Sequence, residues 1–203
     1  LKYENNNNWL FARNKVLFWD TLISESLAVP ENVIPEISDI EPIYDLGSWF
    51  WADSIVVDDV EYAVNLFGTV ENLKIVWDMY FSKDGYYNDF LWVKGNQSIS
   101  DNYGQWMLSK SYAENFDFLQ IDWTLNSENE INTLKFTSLV PDTLLYNSYI
   151  FFENNLSGDY NCFFEIFDAK DSSSTIINWN TQNNKGCILL NDSVDWLCWD
   201  EYF

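Results

Sequence analysis

Two acidic clusters carry the residue types best suited to chemistry. Asp53, Asp58, Asp59 and Glu61 form one, and Asp192, Asp195, Asp200 and Glu201 the other. Carboxylate oxygens suit calcium, and two carboxyls held at a fixed separation can hydrolyse a glycoside. Neither cluster has the alternating acids, central glycine and distal glutamate of a calcium loop. With 32 acidic residues in a chain of 203, some carboxyl pair will always look suitable. Both clusters therefore read as solvated turns, with no metal and no catalytic residue assigned. The chain has no histidine, which removes Ser-His-Asp and Cys-His mechanisms and every His-ligated zinc or iron site. Glycine is scarce, at 7, and there is no phosphate-cradling loop or nucleophile elbow. The expectation is a protein that is not an enzyme and carries no cofactor.

The thiols are more informative. A loop centred on Asp192-Ser193 pairs Leu190 with Asp195, Leu189 with Trp196 and Cys187 with Cys198. Directly opposed residues lie about 4.5–5.5 Å apart, inside the Cα range a disulfide accepts. A Cys187–Cys198 bridge is expected, with Cys162 left as a buried thiol. Three cysteines are too few for a disulfide framework, but one bridge would support an oxidising compartment.

These residues need a scaffold, and the composition says which kind. Aromatic residues make up 19% of the chain, with 11 Trp, 12 Tyr and 15 Phe, and aromatics favour pleated, half-buried surfaces. The stretch from Gly47 to Gly95 folds on paper into three successive hairpins. A turn at Asp58-Asp59 sets Trp51 against Leu66 and Ile55 against Tyr62. A turn at Glu71-Asn72 sets Leu66 against Trp77, Val64 against Met79 and Tyr62 against Phe81. A turn at Asp84-Gly85 sets Trp77 against Trp92 and Met79 against Phe90. Alternation with period two then puts all these large residues on one face of an antiparallel meander. The other face reads Phe50, Ala52, Ala63, Asn65, Phe67, Lys74, Val76, Asp78 and Tyr80, mixed rather than polar.

Around this meander the chain divides into residues 1–8, 9–46 and 47–203. The first, with four consecutive asparagines, reads as a polar tether. In the second, Phe11, Ala12, Val16, Phe18, Trp19, Leu22 and Ile23 share one side of a helix from Trp9 to Leu27, with Asn8 as its N-cap. Val29-Pro30 ends that helix, and a Pro-containing extended linker follows. In the third, strands with Trp106 and Leu108, then Leu119, Ile121 and Trp123, lead to apolar runs at 131–140, 149–152, 161–167, 175–180, 186–190 and 194–199. The fold expected is mainly β: an antiparallel barrel or barrel-like sandwich of about 11–12 strands with one N-terminal amphipathic helix.

The net charge of −22, with Arg13 the only arginine, repels DNA, RNA and anionic headgroups. No apolar run approaches the roughly 18 residues of a membrane span. A start at Leu1 fits a processed, exported chain, and a fragment of an intracellular protein as well. Several motifs recur in a fixed order: Trp49 and Trp51 before a hairpin, Val76-Trp77-Asp78-Met79, Phe90-Leu91-Trp92 before Gly95, and Gly104-Gln105-Trp106. Ile121-Asp122-Trp123 and Trp196-Leu197-Cys198-Trp199-Asp200 complete the series. Together they resemble a family of uncharacterised bacterial envelope lipoproteins with a Trp-rich β domain, over roughly Gly47 to Asp200. The resemblance implies a location in the outer envelope, periplasm or cell surface, and brings no established activity. The leading expectation is a non-enzymatic exported protein, an interaction or accessory subunit of an envelope assembly with a protein partner. The alternative is a barrel-type carrier of a small apolar or carbohydrate ligand, held by Trp49, Trp51, Trp77 and Trp92.

Overall fold

The computed structural model describes residues 2–3, 5–33, 40–154, 158–191 and 193–200 of the chain. The fold is mainly antiparallel β with one N-terminal helix. The strands follow chain order from β2 to β14, with β1 (Lys2–Tyr3) added beside β14 in parallel. Two compact units share them: Ser24–Asp122 is one, and Leu1–Ile23 with Trp123–Phe203 is the other. No described helix is long and apolar enough to cross a membrane.

The Ser24–Asp122 unit is the expected meander. It comprises β2 (Ile43–Asp45), β3 (Ser48–Val57), β4 (Val60–Glu71), β5 (Lys74–Lys83), β6 (Tyr87–Ser98), β7 (Tyr103–Ser109) and the start of β8 (Asp117–Leu125). β2 lies in the stretch expected to be linker; residues 34–39 of that stretch lie outside the described residues. The first hairpin has the expected register, with Trp51 opposite Leu66 and Ile55 opposite Tyr62. Asp58 and Asp59 both take positive φ, 51° and 62°, the conformation of a two-residue turn that matches strand twist.

The next two hairpins depart from the paper register. The second turns at Asn72-Leu73, not Glu71-Asn72, so Leu66 faces Met79, Val64 faces Phe81 and Gly68 faces Trp77. A slip of two residues preserves every face. The reason lies in bulk: Trp77 now sits opposite glycine on both sides, Gly68 on β4 and Gly95 on β6. The third hairpin is interrupted twice between β5 and β6, once between Met79 and Tyr80 and once between Phe81 and Lys83. The first interruption leaves Trp92 without a direct partner, so it does not oppose Trp77, and Met79 meets Val93 instead of Phe90. The core face survives all of this. Ile55, Tyr62, Val64, Leu66, Met79, Phe81, Phe90, Val93, Leu108 and Leu119 are buried.

In the other unit, β9 (Ile131–Ser138), β10 (Tyr149–Asn154), β11 (Cys162–Asp168), β12 (Ser173–Trp179), β13 (Gly186–Leu190) and β14 (Leu197–Trp199) pair in succession as an antiparallel ladder. Helix α1 spans Asn5–Leu27, so Asn5 to Asn8 are its first turn rather than a tether. Asn8 is not the N-cap: it is buried, and its Nδ2 donates to the carbonyl oxygen of Cys198 at 2.9 Å. That bond and the indole of Trp9 set the helix's rotation. Ala12 and Trp19 are buried with Ile150, Ile166, Ile177, Ile188 and Trp199, while Trp9, Val16 and Ile23 pack against the same cluster. At about 100° per residue, the inward face is turned by roughly 60° from the arc centred between Phe11 and Ile23. The seam is tight: Trp9, Ala12, Val16, Ile177, Trp179 and Trp199 surround a gap of only about 10 Å³, room for one water at most.

Candidate functional site

Among the residues expected to form a site, the two cysteines meet. Cys187 and Cys198 are directly opposed in the closing hairpin and are bonded to each other. The ladder runs through Gly186–Trp199, Cys187–Cys198 and Ile188–Leu197 and then stops, so Leu189–Trp196 and Leu190–Asp195 are not strand pairs. The Tyr160 hydroxyl lies 3.1 Å from Cys187 Sγ. Cys162 is free and buried, and burial pushes its thiol above the ordinary range, which makes it a poor nucleophile.

The four tryptophans fall into three groups of packed rings. Trp51 and Trp77 pack together at 5.8 Å between ring centroids. Trp49 leans on Tyr44 at 5.4 Å, on the neighbouring strand. Trp92 joins a separate cluster with Phe81 at 4.9 Å, Phe90 at 5.8 Å and Tyr62 at 6.3 Å. Across β3 to β7 the register reads Trp49, Gly68, Trp77, Gly95, Trp106 in one row. The indoles lie over the glycines: a Cβ on Gly68 would come within 2.6 Å of Trp77 Cζ3, and one on Gly95 within 2.8 Å of Trp106 Cε3. The other unit repeats the device with Trp179, Gly186 and Trp199. There a Cβ on Gly186 would come within 2.6 Å of Trp199 Cε2. These rings spend their faces on packing.

Asp58 and Asp59 form the β3–β4 turn, and Asp53 Oδ1 accepts the Ser54 N–H at 2.8 Å. Asp192 and Glu201 lie outside the described residues. Among the described residues, no three Asp, Glu or Cys side chains converge to hold a metal ion.

Two surfaces that the motifs did not single out have more to offer. On α1, Leu10, Phe11, Leu17 and Phe18 point outward, with 42, 43, 38 and 52% of their surface exposed. Phe11 and Phe18 were expected in the core. Their side of the helix flanks a groove of about 480 Å³, whose other wall is Leu145, Ser148 and the β11–β12 turn from Phe167 to Ser173. Lys15 Nζ lies 5.6 Å from the centre of the Phe11 ring on the same side. Asp171, on the far wall, accepts from Ser173, which holds its carboxyl below the usual range.

The second surface is the outward face of the meander. Phe50, Asn65, Phe67, Asp78, Tyr80 and Asp89 line a groove of about 490 Å³. Phe50 and Phe67 lie 4.9 Å apart, and Phe67 meets Tyr80 edge to face at 5.8 Å. Only the period-two alternation of β3, β4 and β5 signalled this face; the bulge that brings Asp89 to it left no mark in the sequence pattern. The chain matches no protein-family model, no curated protein and no solved structure.

Proposed function

We propose that the protein is a non-enzymatic, exported protein of the cell envelope that acts as an interaction or accessory subunit, with the outward side of α1 as its docking face. The observation that carries this reading is the exposed row of Leu10, Phe11, Leu17 and Phe18. Residues seven and eight apart fall on one side of a helix, so Leu10 and Phe11 share that side with Leu17 and Phe18, with the exposed Asn14 between the two pairs. Apolar patches of this kind mark association sites far more often than scattered surface leucines do. The charge of −22 selects a partner with a basic rim around an apolar centre. The Cys187–Cys198 bond supports an oxidising compartment, in line with the resemblance to envelope lipoproteins.

The test is a double substitution, Phe11→Ser with Phe18→Ser, expressed in the native host. The unaltered protein is expected to elute from a mild envelope extract in a complex of defined mass. The variant is expected to elute as the free chain with an unchanged melting midpoint. An unaltered protein that elutes alone would overturn the reading.

A further inference from the structure

We propose that the outward face of the β3–β6 meander binds a small alkylammonium cation, whose charge meets the faces of Phe50, Phe67 and Tyr80 and the carboxylates of Asp78 and Asp89. The register builds the site. Phe50, Phe67 and Asp78 are successive cross-strand neighbours on β3, β4 and β5, and Ala52, Asn65 and Tyr80 form the next row. Ala52 projects little, so the rings of the first row border open space.

Asp89 arrives by a different route. The second interruption of the β5–β6 ladder leaves Asn88 and Asp89 facing Ser82. Asp89 takes a φ of 48°, and its N–H donates to Ser82 Oγ at 2.9 Å. Bulges turn side chains out of the regular alternation, and here one carries a second carboxylate to the groove. The Tyr80 hydroxyl has its pKa raised by burial first, then by the charges of Asp78 and Asp89. Both carboxylates therefore act on the same ring.

Neither carboxylate is neutralised from within. The salt bridges among the described residues are Lys94–Asp117 and Lys110–Glu114. Lys94, directly opposite Asp78 in the register, is thus held by Asp117 at 2.9 Å. Ring faces carry negative electrostatic potential, and an organic cation placed over them beside carboxylates gains on both counts. A neutral sugar offers these carboxylates hydroxyl donors but no charge to balance theirs. The −22 charge of the chain raises the local concentration of cations. The groove, at about 490 Å³, falls within the roughly 300–1,000 Å³ of small-molecule sites. This inference does not depend on the docking role of α1.

Choline is the probe, titrated by calorimetry alongside its uncharged isostere, in which a tert-butyl group replaces the trimethylammonium, and alongside methyl glucoside. Choline is expected to bind at least about tenfold more tightly than the isostere. Phe67→Ala and Asp78→Asn are each expected to weaken choline several-fold, and Asp89→Asn to do the same without moving the melting midpoint. Equal affinity for choline and isostere, tighter binding of the glucoside, no saturable binding at all, or full affinity in Asp78→Asn and Asp89→Asn would each overturn the proposal.

Discussion

At the scale of single residues, the molecule is governed by where large rings meet glycine. Trp77→Ala removes a ring packed on Trp51 and lying over Gly68. It should cost about 3 kcal/mol, the low end for a core tryptophan because the ring is only half-buried. Gly68→Ala forces a methyl into that ring and should cost about 1–3 kcal/mol. Asp78→Ala, one residue away on the opposite face, should fall within about 0.5 kcal/mol of neutral. Denaturant melts of the three variants check the order, and equal losses for Trp77 and Asp78 would contradict the register. Tyr149 gives a second prediction. Burial, then a hydrogen bond from its hydroxyl to Glu165 Oε1 at 3.0 Å, push its pKa up to about 12 from 10.0. A raised folded-state value means the folded protein holds a proton that the unfolded chain releases. The stabilisation is full below about pH 10 and is lost as the pH climbs toward about 12. The melting midpoint of the parent should therefore fall more steeply across that window than that of Tyr149→Phe. The faces of these residues were legible, because alternation alone assigns Trp51, Trp77 and Asp78 to their sides. The partners across the second turn were not: a leucine at positive φ, as Leu73 is at 63°, is the last place to put a turn.

Among the elements, strands were easier to read than the helix. Period two survives a register slip of two residues, whereas α1 carries apolar residues on every side, and its weak periodicity could not say which faced in. What decided was a single polar contact, Asn8 to Cys198, inside a run of asparagines that looked like tether. Asn8→Ala leaves the Cys198 carbonyl oxygen without that donor and should cost about 1–3 kcal/mol. It should also raise hydrogen exchange through the first turns of α1 ahead of β10 to β12. Exchange at the same rate in α1 and β11 would count against this anchoring role. In the closing hairpin the Cys187–Cys198 pair was legible because two thiols reported on it, whereas the expected pairs beyond Ile188–Leu197 do not form. Its bridge spans a separation of 11 residues, for which loop-closure entropy gives roughly 3 kcal/mol. Reduction should lower stability by that order. Alkylation without reductant should modify none of the three cysteines until the protein unfolds, and then only Cys162. Modification of Cys187 or Cys198 before reduction would remove the support for an oxidising compartment.

For the molecule as a whole, the two units differ in how far apart in sequence their contacts lie. In the Ser24–Asp122 unit, β2 to β7 pair in succession through short turns. In the other, α1 packs on strands more than a hundred residues downstream, and Asn8 reaches across 190 positions to Cys198. Short-range pairing closes small loops and forms early; long-range packing forms late. Pulse-labelled hydrogen exchange during refolding should find β3 to β5 protected before α1, and the reverse order would refute the argument. The same feature matters to a ribosome. The seat of α1 is Ile150, Ile166, Ile177, Ile188 and Trp199, so it does not exist until β14 has been synthesised. Through most of translation, Trp9, Ala12, Val16 and Trp19 have nowhere in their own chain to go. They are the segment a holdase would grasp, and under the proposed export that delay would keep the chain threadable.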